Sequence, residues 1–213
     1  MQKLKMPEIR RTADMTPTVA GRATTFAEMR DLRTTARSLP EWLAWRARWS
    51  GGSIEAGGSQ VPVLQEAIKN LSEEERASVK AKIAEVERVT AVERWPVIVD
   101  DDVPPVTAEQ AKLIMVTKML MAKASAAMTA DGVAAKGESF MIALDDVPAW
   151  AVEEAIAAWY RGSVPGVDKA DFKWAPDSSM LRRIAVDATR HYLDMLGSLR
   201  KVLAARHLSE IGA

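Results

Sequence analysis

Apolar residues recur along most of this chain at intervals of three and four, the spacing of one face of an α-helix. Val79, Ile83 and Val86 follow it, as do Leu113, Val116, Leu120, Ala124 and Ala127, and again Ala149, Val152, Ile156 and Trp159. The pattern predicts helices over 25–37, 40–49, 62–70, 73–93, 108–128, 132–144, 148–161 and 178–208. Four capping boxes mark helix starts: Thr25 with Glu28, Ser38 with Glu41, Ser72 with Glu75 and Thr107 with Gln110. In each, the hydroxyl accepts a bond from the amide three residues on, and the Glu or Gln returns one to the cap amide. Only Val97-Ile98-Val99 reads as extended. The expected fold class is all-α.

The last two-fifths of the chain carries the strongest pattern. Asp145 and Asp146 sit where acids favour a helix start, and Pro148 falls in the first turn, where its missing N–H costs nothing. Gly162 stops that helix, and Asp177 or Ser178 is placed to cap the next. The final helix carries Leu181, Ala188, Met195 and Val202 at seven-residue spacing, with Ala185, Tyr192 and Leu199 offset by four. This is a seam for another helix, either of the same chain or of a second copy.

Breaks divide the chain. Four glycines and two serines within residues 51–59 read as a flexible linker. A second break falls where Asp100, Asp101 and Asp102 precede Val103-Pro104-Pro105. Residues 1–50 hold ten Lys/Arg against five acids, 51–102 six against eleven, and 103–213 thirteen against thirteen. The organisation expected is a basic N-terminal helical segment (1–50), the linker (51–59), an acidic helical segment (60–102) and a helical main domain (103–213).

Composition narrows the function. The 213 residues carry 29 Lys+Arg and 29 Asp+Glu, so no basic surplus announces a nucleic-acid surface, and any such contact is expected to be weak or local. With zero Cys, disulfides and thiolate metal sites are excluded. The most apolar stretch, Leu113 to Met128, is broken by Lys118 and Lys123, which predicts no membrane span. The cationic start is not followed by an apolar run, so no secretory signal is read and a cytoplasmic location in a bacterial host is expected. Neither the P-loop pattern nor the dinucleotide-binding fingerprint occurs. His191 and His207 lack a second ligand at helical spacing, so no metal or other cofactor is expected. The three consecutive aspartates point in different directions and read as solvated.

Trp42, Trp45 and Trp49 recur at three and four on a short helix that also carries Arg46 and Arg48. Such a stripe is core, a docking surface for a partner protein, or a stacking platform for bases. Met115, Met119, Met121 and Met128 offer the same choice between core filling and an adaptable groove.

An ordered series of signals follows: Phe140 through Ile156, then Trp159-Tyr160-Arg161-Gly162, then Phe172-Lys173-Trp174-Ala175-Pro176-Asp177 and Leu181-Arg182-Arg183-Ile184-Ala185. Over residues 107–190 the chain resembles prophage-encoded proteins and the small helical domain of phage replicative-helicase loader/inhibitor proteins. It departs from them in the roughly hundred residues that precede the match and in Met180, where an acid is common. The resemblance implies a non-enzymatic accessory replication protein that loads or restrains a hexameric replicative helicase. Trp42, Trp45, Arg46 and Trp49 are then the candidate docking residues on a tethered arm. Leu181, Ala188, Met195, Val202, Tyr192 and Leu199 are the candidate self-association seam, which under the alternative reading builds a phage structural or assembly protein. A DNA-binding regulator using the basic first fifty residues is the further alternative.

Overall fold

Side chains that satisfy the free amides at helix starts set most of the element boundaries. The computed structural model describes residues 24–49, 52–56, 59–64, 70–92, 97–98, 105–123, 130–169 and 171–207. In chain order these form β1 (Thr24–Thr25), α1 (Phe26–Arg37), α2 (Glu41–Trp49), β2 (Gly52–Ala56), β3 (Ser59–Leu64), α3 (Glu73–Thr90) and β4 (Val97–Ile98). They continue with α4 (Ala108–Lys123), α5 (Ala130–Ala143), α6 (Ala149–Arg161), a 3-10 turn (Asp171–Lys173), α7 (Ser178–Ala204) and β5 (Arg206–His207). The fold is all-α, with two small sheets at its edges: β1 beside β4 in parallel, and β2, β3 and β5 in that order.

Three of the four capping boxes form. Thr25 and Glu28 exchange bonds of 3.0 Å at the start of α1, Ser72 and Glu75 do so at α3, and Thr107 and Gln110 at α4. The fourth does not: Ser38 closes α1, its N–H donating to Thr35 O, and Pro40 supplies the carbonyl that starts α2. Asp177 caps α7, accepting from Met180 N at 2.7 Å. Pro148 stands one place earlier than predicted, at the N-cap of α6, where its side chain can offer no cap bond.

Helix α7 is the axis. Its apolar face packs against α2, α3, α5 and α6, while α4 lies on α5 and α6 and α1 on α3. One core cluster draws on all seven helices, from Ala36 of α1 and Leu43 of α2 to Leu199 and Val202 of α7. Leu43 is fully buried, which removes an apolar side chain worth about 1.5–3 kcal/mol from water. The N-terminal helices are therefore built into the body, and the expected tethered arm is corrected: α1 and α2 share the core that the arm was to hang from.

The expected linker is also corrected. Gly52–Ala56 pairs antiparallel with Ser59–Leu64, from Gly52 opposite Val63 to Ala56 opposite Ser59. The helix predicted over 62–70 is a strand where it begins, and residues 65–69 lie outside the described residues. The missed signal is Gly57-Gly58 between runs containing Ile54, Val61 and Val63, a two-residue hairpin pattern. Val97-Ile98 is extended as predicted and pairs with Thr24-Thr25, whereas Asp100 to Asp102 lie outside the described residues.

Gly162 ends α6 with φ +63°, and its N–H closes onto Ala158 O and Trp159 O. A Cβ there would stand 3.5 Å from the Phe172 ring, ordinary contact, so the cost of a side chain is the left-handed backbone itself. Gly162→Ala is expected to lower stability by about 1–2 kcal/mol and Gly162→Asn by less. Thermal unfolding followed by circular dichroism checks this; equal melting points for Ala and Gly would contradict it.

Candidate interaction surfaces

The six seam residues lie on the inner face of α7. Leu181, Tyr192 and Leu199 are fully buried, Met195 and Val202 nearly so, and Ala188 packs partly buried against the same cluster. Seven-residue spacing here serves the chain's own helices, since a face turned toward α3 and α6 is closed to a second copy. Self-association through this seam is corrected on that ground.

The tryptophan stripe divides. Trp42 packs partly buried against the core beside Leu43, while Trp45, one turn on, is 50% exposed. Arg46 is partly buried and lies 3.6 Å from the Glu75 carboxylate. The side chain of Trp49 lies outside the described residues.

Two buried cations organise the body, and sequence reading singled out neither. Arg33 stacks over the Trp150 ring at 4.0 Å and pairs with Glu154. Trp150 Nε1 donates to Val89 O at 2.8 Å, Tyr192 Oη donates to Arg33 O at 3.3 Å, and the two rings meet edge to face at 5.7 Å. Four helices, α1, α3, α6 and α7, are joined by this one group. Arg33 Nε is buried without a hydrogen-bond partner among the described residues. Nearby, burial raises the Glu153 carboxyl above its ordinary range, against the pull of Arg30 and Arg33.

Lys112, 1% exposed, directs Nζ at the carbonyls of Leu144 (2.7 Å), Asp145 (3.2 Å) and Val147 (3.3 Å). It closes the turn between α5 and α6. Across that turn Arg182 donates to Ala143 O and to both carboxylate oxygens of Asp146. The guanidinium hydrogen bond, with the charges of Arg182 and Lys112, holds the Asp146 carboxyl below its usual range, although burial opposes it. Asp177 is held low as well, first by the Met180 amide and then by the Ser179 hydroxyl. Asp146 thus serves an inter-helix pair rather than the start of α6.

At the far end of α6, Trp159 meets Phe172 edge to face at 4.8 Å, and its Nε1 donates to Trp174 O at 2.8 Å. Lys123 Nζ donates to Phe172 O at 2.6 Å and lies 5.1 Å from the Tyr160 ring centroid. Tyr160 and Trp174 themselves remain exposed.

A cleft of about 440 Å³ runs between the α1–α2 turn and α3, lined by Thr35, Leu39, Pro40, Leu43, Lys82 and Glu85 among others. Lys82 donates to Thr35 O (2.8 Å) and to Glu85 (2.9 Å), so its charge is occupied in closing the wall. Among the described residues no group of three His, Asp or Glu side chains is arranged to hold a metal, and no helix is long and apolar enough to cross a membrane. His191 is exposed, its ring 5.7 Å from that of Tyr192, and the side chain of His207 lies outside the described residues. Met119 is buried and Met115 partly so, Met121 is exposed, and Met128 lies outside the described residues. Compared with known proteins, the chain matches no family model, no curated protein and no solved structure.

Two predictions follow from these charges. Lys112→Met strips the donor from three carbonyls and is expected to cost about 1–3 kcal/mol in urea unfolding; an unchanged midpoint would show that the turn does not need the ammonium. Asp146 and Asp177 have folded pKa values below their unfolded ones. Their contributions are therefore complete above about pH 4 and fade as pH falls through the folded values. Asp177→Ala is expected to cost about 1 kcal/mol at pH 7, and the exposed pair's Asp146→Asn less than about 1 kcal/mol. Both differences should shrink in unfolding curves taken toward pH 2, and a gap that widened there would contradict the assignment.

Proposed function

We propose that the chain is a non-enzymatic helical adaptor that docks on a partner protein through α2, and that the partner is a hexameric replicative helicase. The observation that carries the docking surface is Trp45, half exposed on a helix whose opposite side is anchored by the buried Leu43, with Trp42 one turn earlier packed at the edge of the same core. An aromatic ring presented on a fixed helix loses little freedom on binding, which is the character of an interface anchor. The choice of helicase rests on the resemblance over residues 107–190. Burial of the α7 seam gives the reading as an oligomeric particle component no surface there to work with.

Light scattering after size exclusion, on the chain alone and mixed with the host replicative helicase, is the direct test. The reading expects co-elution, with the affinity of Trp45→Ala lower by roughly 30-fold or more, the loss of an interface anchor. Failure of the wild-type chain to shift into the helicase peak would remove the partner, and a Trp45→Ala chain that still co-elutes fully would remove the surface.

A further inference from the structure

The end of the body where α6 stops presents exposed rings among cations. Tyr160 is 46% exposed and Trp174 59%. Trp174 is held through its backbone, its carbonyl accepting from Trp159, and more than half of its surface stays in water. Lys123 is fixed between Phe172 O and the Tyr160 ring. Arg161, Lys169 and Lys173 are exposed on the same stretch, so with Lys123 four cations stand against three acids, Asp168, Asp171 and Asp177, the last held at the start of α7 as its cap. Arg161 follows Tyr160 directly and Lys173 precedes Trp174, which gives each ring a cation on the adjoining residue.

We propose that this surface binds single-stranded nucleic acid, with bases stacked on Trp174 and Tyr160 and phosphates passing Arg161, Lys169 and Lys173. One feature favours this occupant over an acidic peptide and another favours it over a duplex. Rings paired with neighbouring cations match the alternation of flat base and charged phosphate along a strand, and a single strand, unlike a duplex, offers base faces to stack. Because the whole chain has a formal charge of zero, no net charge of the molecule adds to this local attraction, and binding is modest and steeply dependent on salt. The surface is separate from Trp45, so it stands whether or not α2 docks a helicase.

The test is fluorescence anisotropy of a labelled oligothymidylate of about 15 nucleotides with the full chain at low salt. The expected result is saturable binding that weakens steeply as salt rises. It should fall at least about fivefold in Trp174→Ala, the loss of one stacked base. Trp174→Phe should retain binding, and Arg161→Glu/Lys173→Glu should lose it. Thermal melts matching the wild type would show that each variant is folded, as the exposed indole leads one to expect. The proposal is overturned by absent binding at low salt or by equal affinity of wild type and Trp174→Ala. Equal competition by a duplex of the same length or by polyglutamate, the mark of a polyanion site without stacking, would also overturn it.

Discussion

The placement of Arg33 is the constraint on which the rest of the structure hangs. A guanidinium taken out of water gains little net stability from its ion pair, since desolvation offsets most of the attraction. Its contribution lies in direction. The cation is satisfied only where the Trp150 face and the Glu154 carboxylate meet, and the backbone of the same residue accepts from Tyr192. Trp150 in turn reaches the last turn of α3 through Val89 O. Sliding α1 by one residue would break the three contacts of Arg33 together, whereas apolar packing alone would tolerate the shift at smaller cost. Arg33 Nε, without a partner among the described residues, shows that this geometry is held against a local penalty.

Lys112 does for the α5–α6 turn what Arg33 does for α1. Helix ends leave carbonyls without partners, and here a side chain from a third helix meets three carbonyls of the turn with one ammonium. With Asp146 and Arg182 above it, the turn is fixed to both α4 and α7. The direction in which α6 leaves follows from that, and so does the position of its far end, where Tyr160 and Trp174 are displayed.

Helix existence was readable because it depends on local signals: reciprocal caps at Thr25, Ser72 and Thr107, a left-handed glycine at 162, and three-to-four spacing of apolar residues. What escaped was whatever required knowing the partner face. The seven-residue repeat on α7 has the same form whether the facing helix belongs to the same chain or to another, and only the fold shows α3 and α6 filling it. Gly57-Gly58 suits both a linker and a hairpin. Arg33 and Lys112 did leave a trace, each standing on the apolar stripe of its helix, with Met29 and Ala36 or with Val116 and Met119, where a cation is out of place. A charge at a core position marks a buried network more reliably than a charge run does. The tryptophan stripe could not be read as one unit because Trp42 and Trp45 take opposite sides of the boundary between core and solvent.

The same boundary bears on function. In the series from Phe140 to Ala185, Trp150, Trp159, Gly162, Phe172, Asp177, Leu181 and Arg182 all have structural duties as anchors, caps or inter-helix pairs. A resemblance built on such residues speaks first about packing. Information about partners has to come from residues the fold could do without, and the exposed rings of Trp45, Tyr160 and Trp174 are residues of that kind. Large aromatic surface left in water is a standing cost in solubility, and the three rings fall in two separate places. Trp45 stands on a helix sealed to the core by apolar contacts, with an arginine tied to Glu75 beside it. Tyr160 and Trp174 stand beside the exposed Arg161 and Lys173. The chemistry of the two places differs enough that a single partner covering both would have to be apolar at one site and anionic at the other.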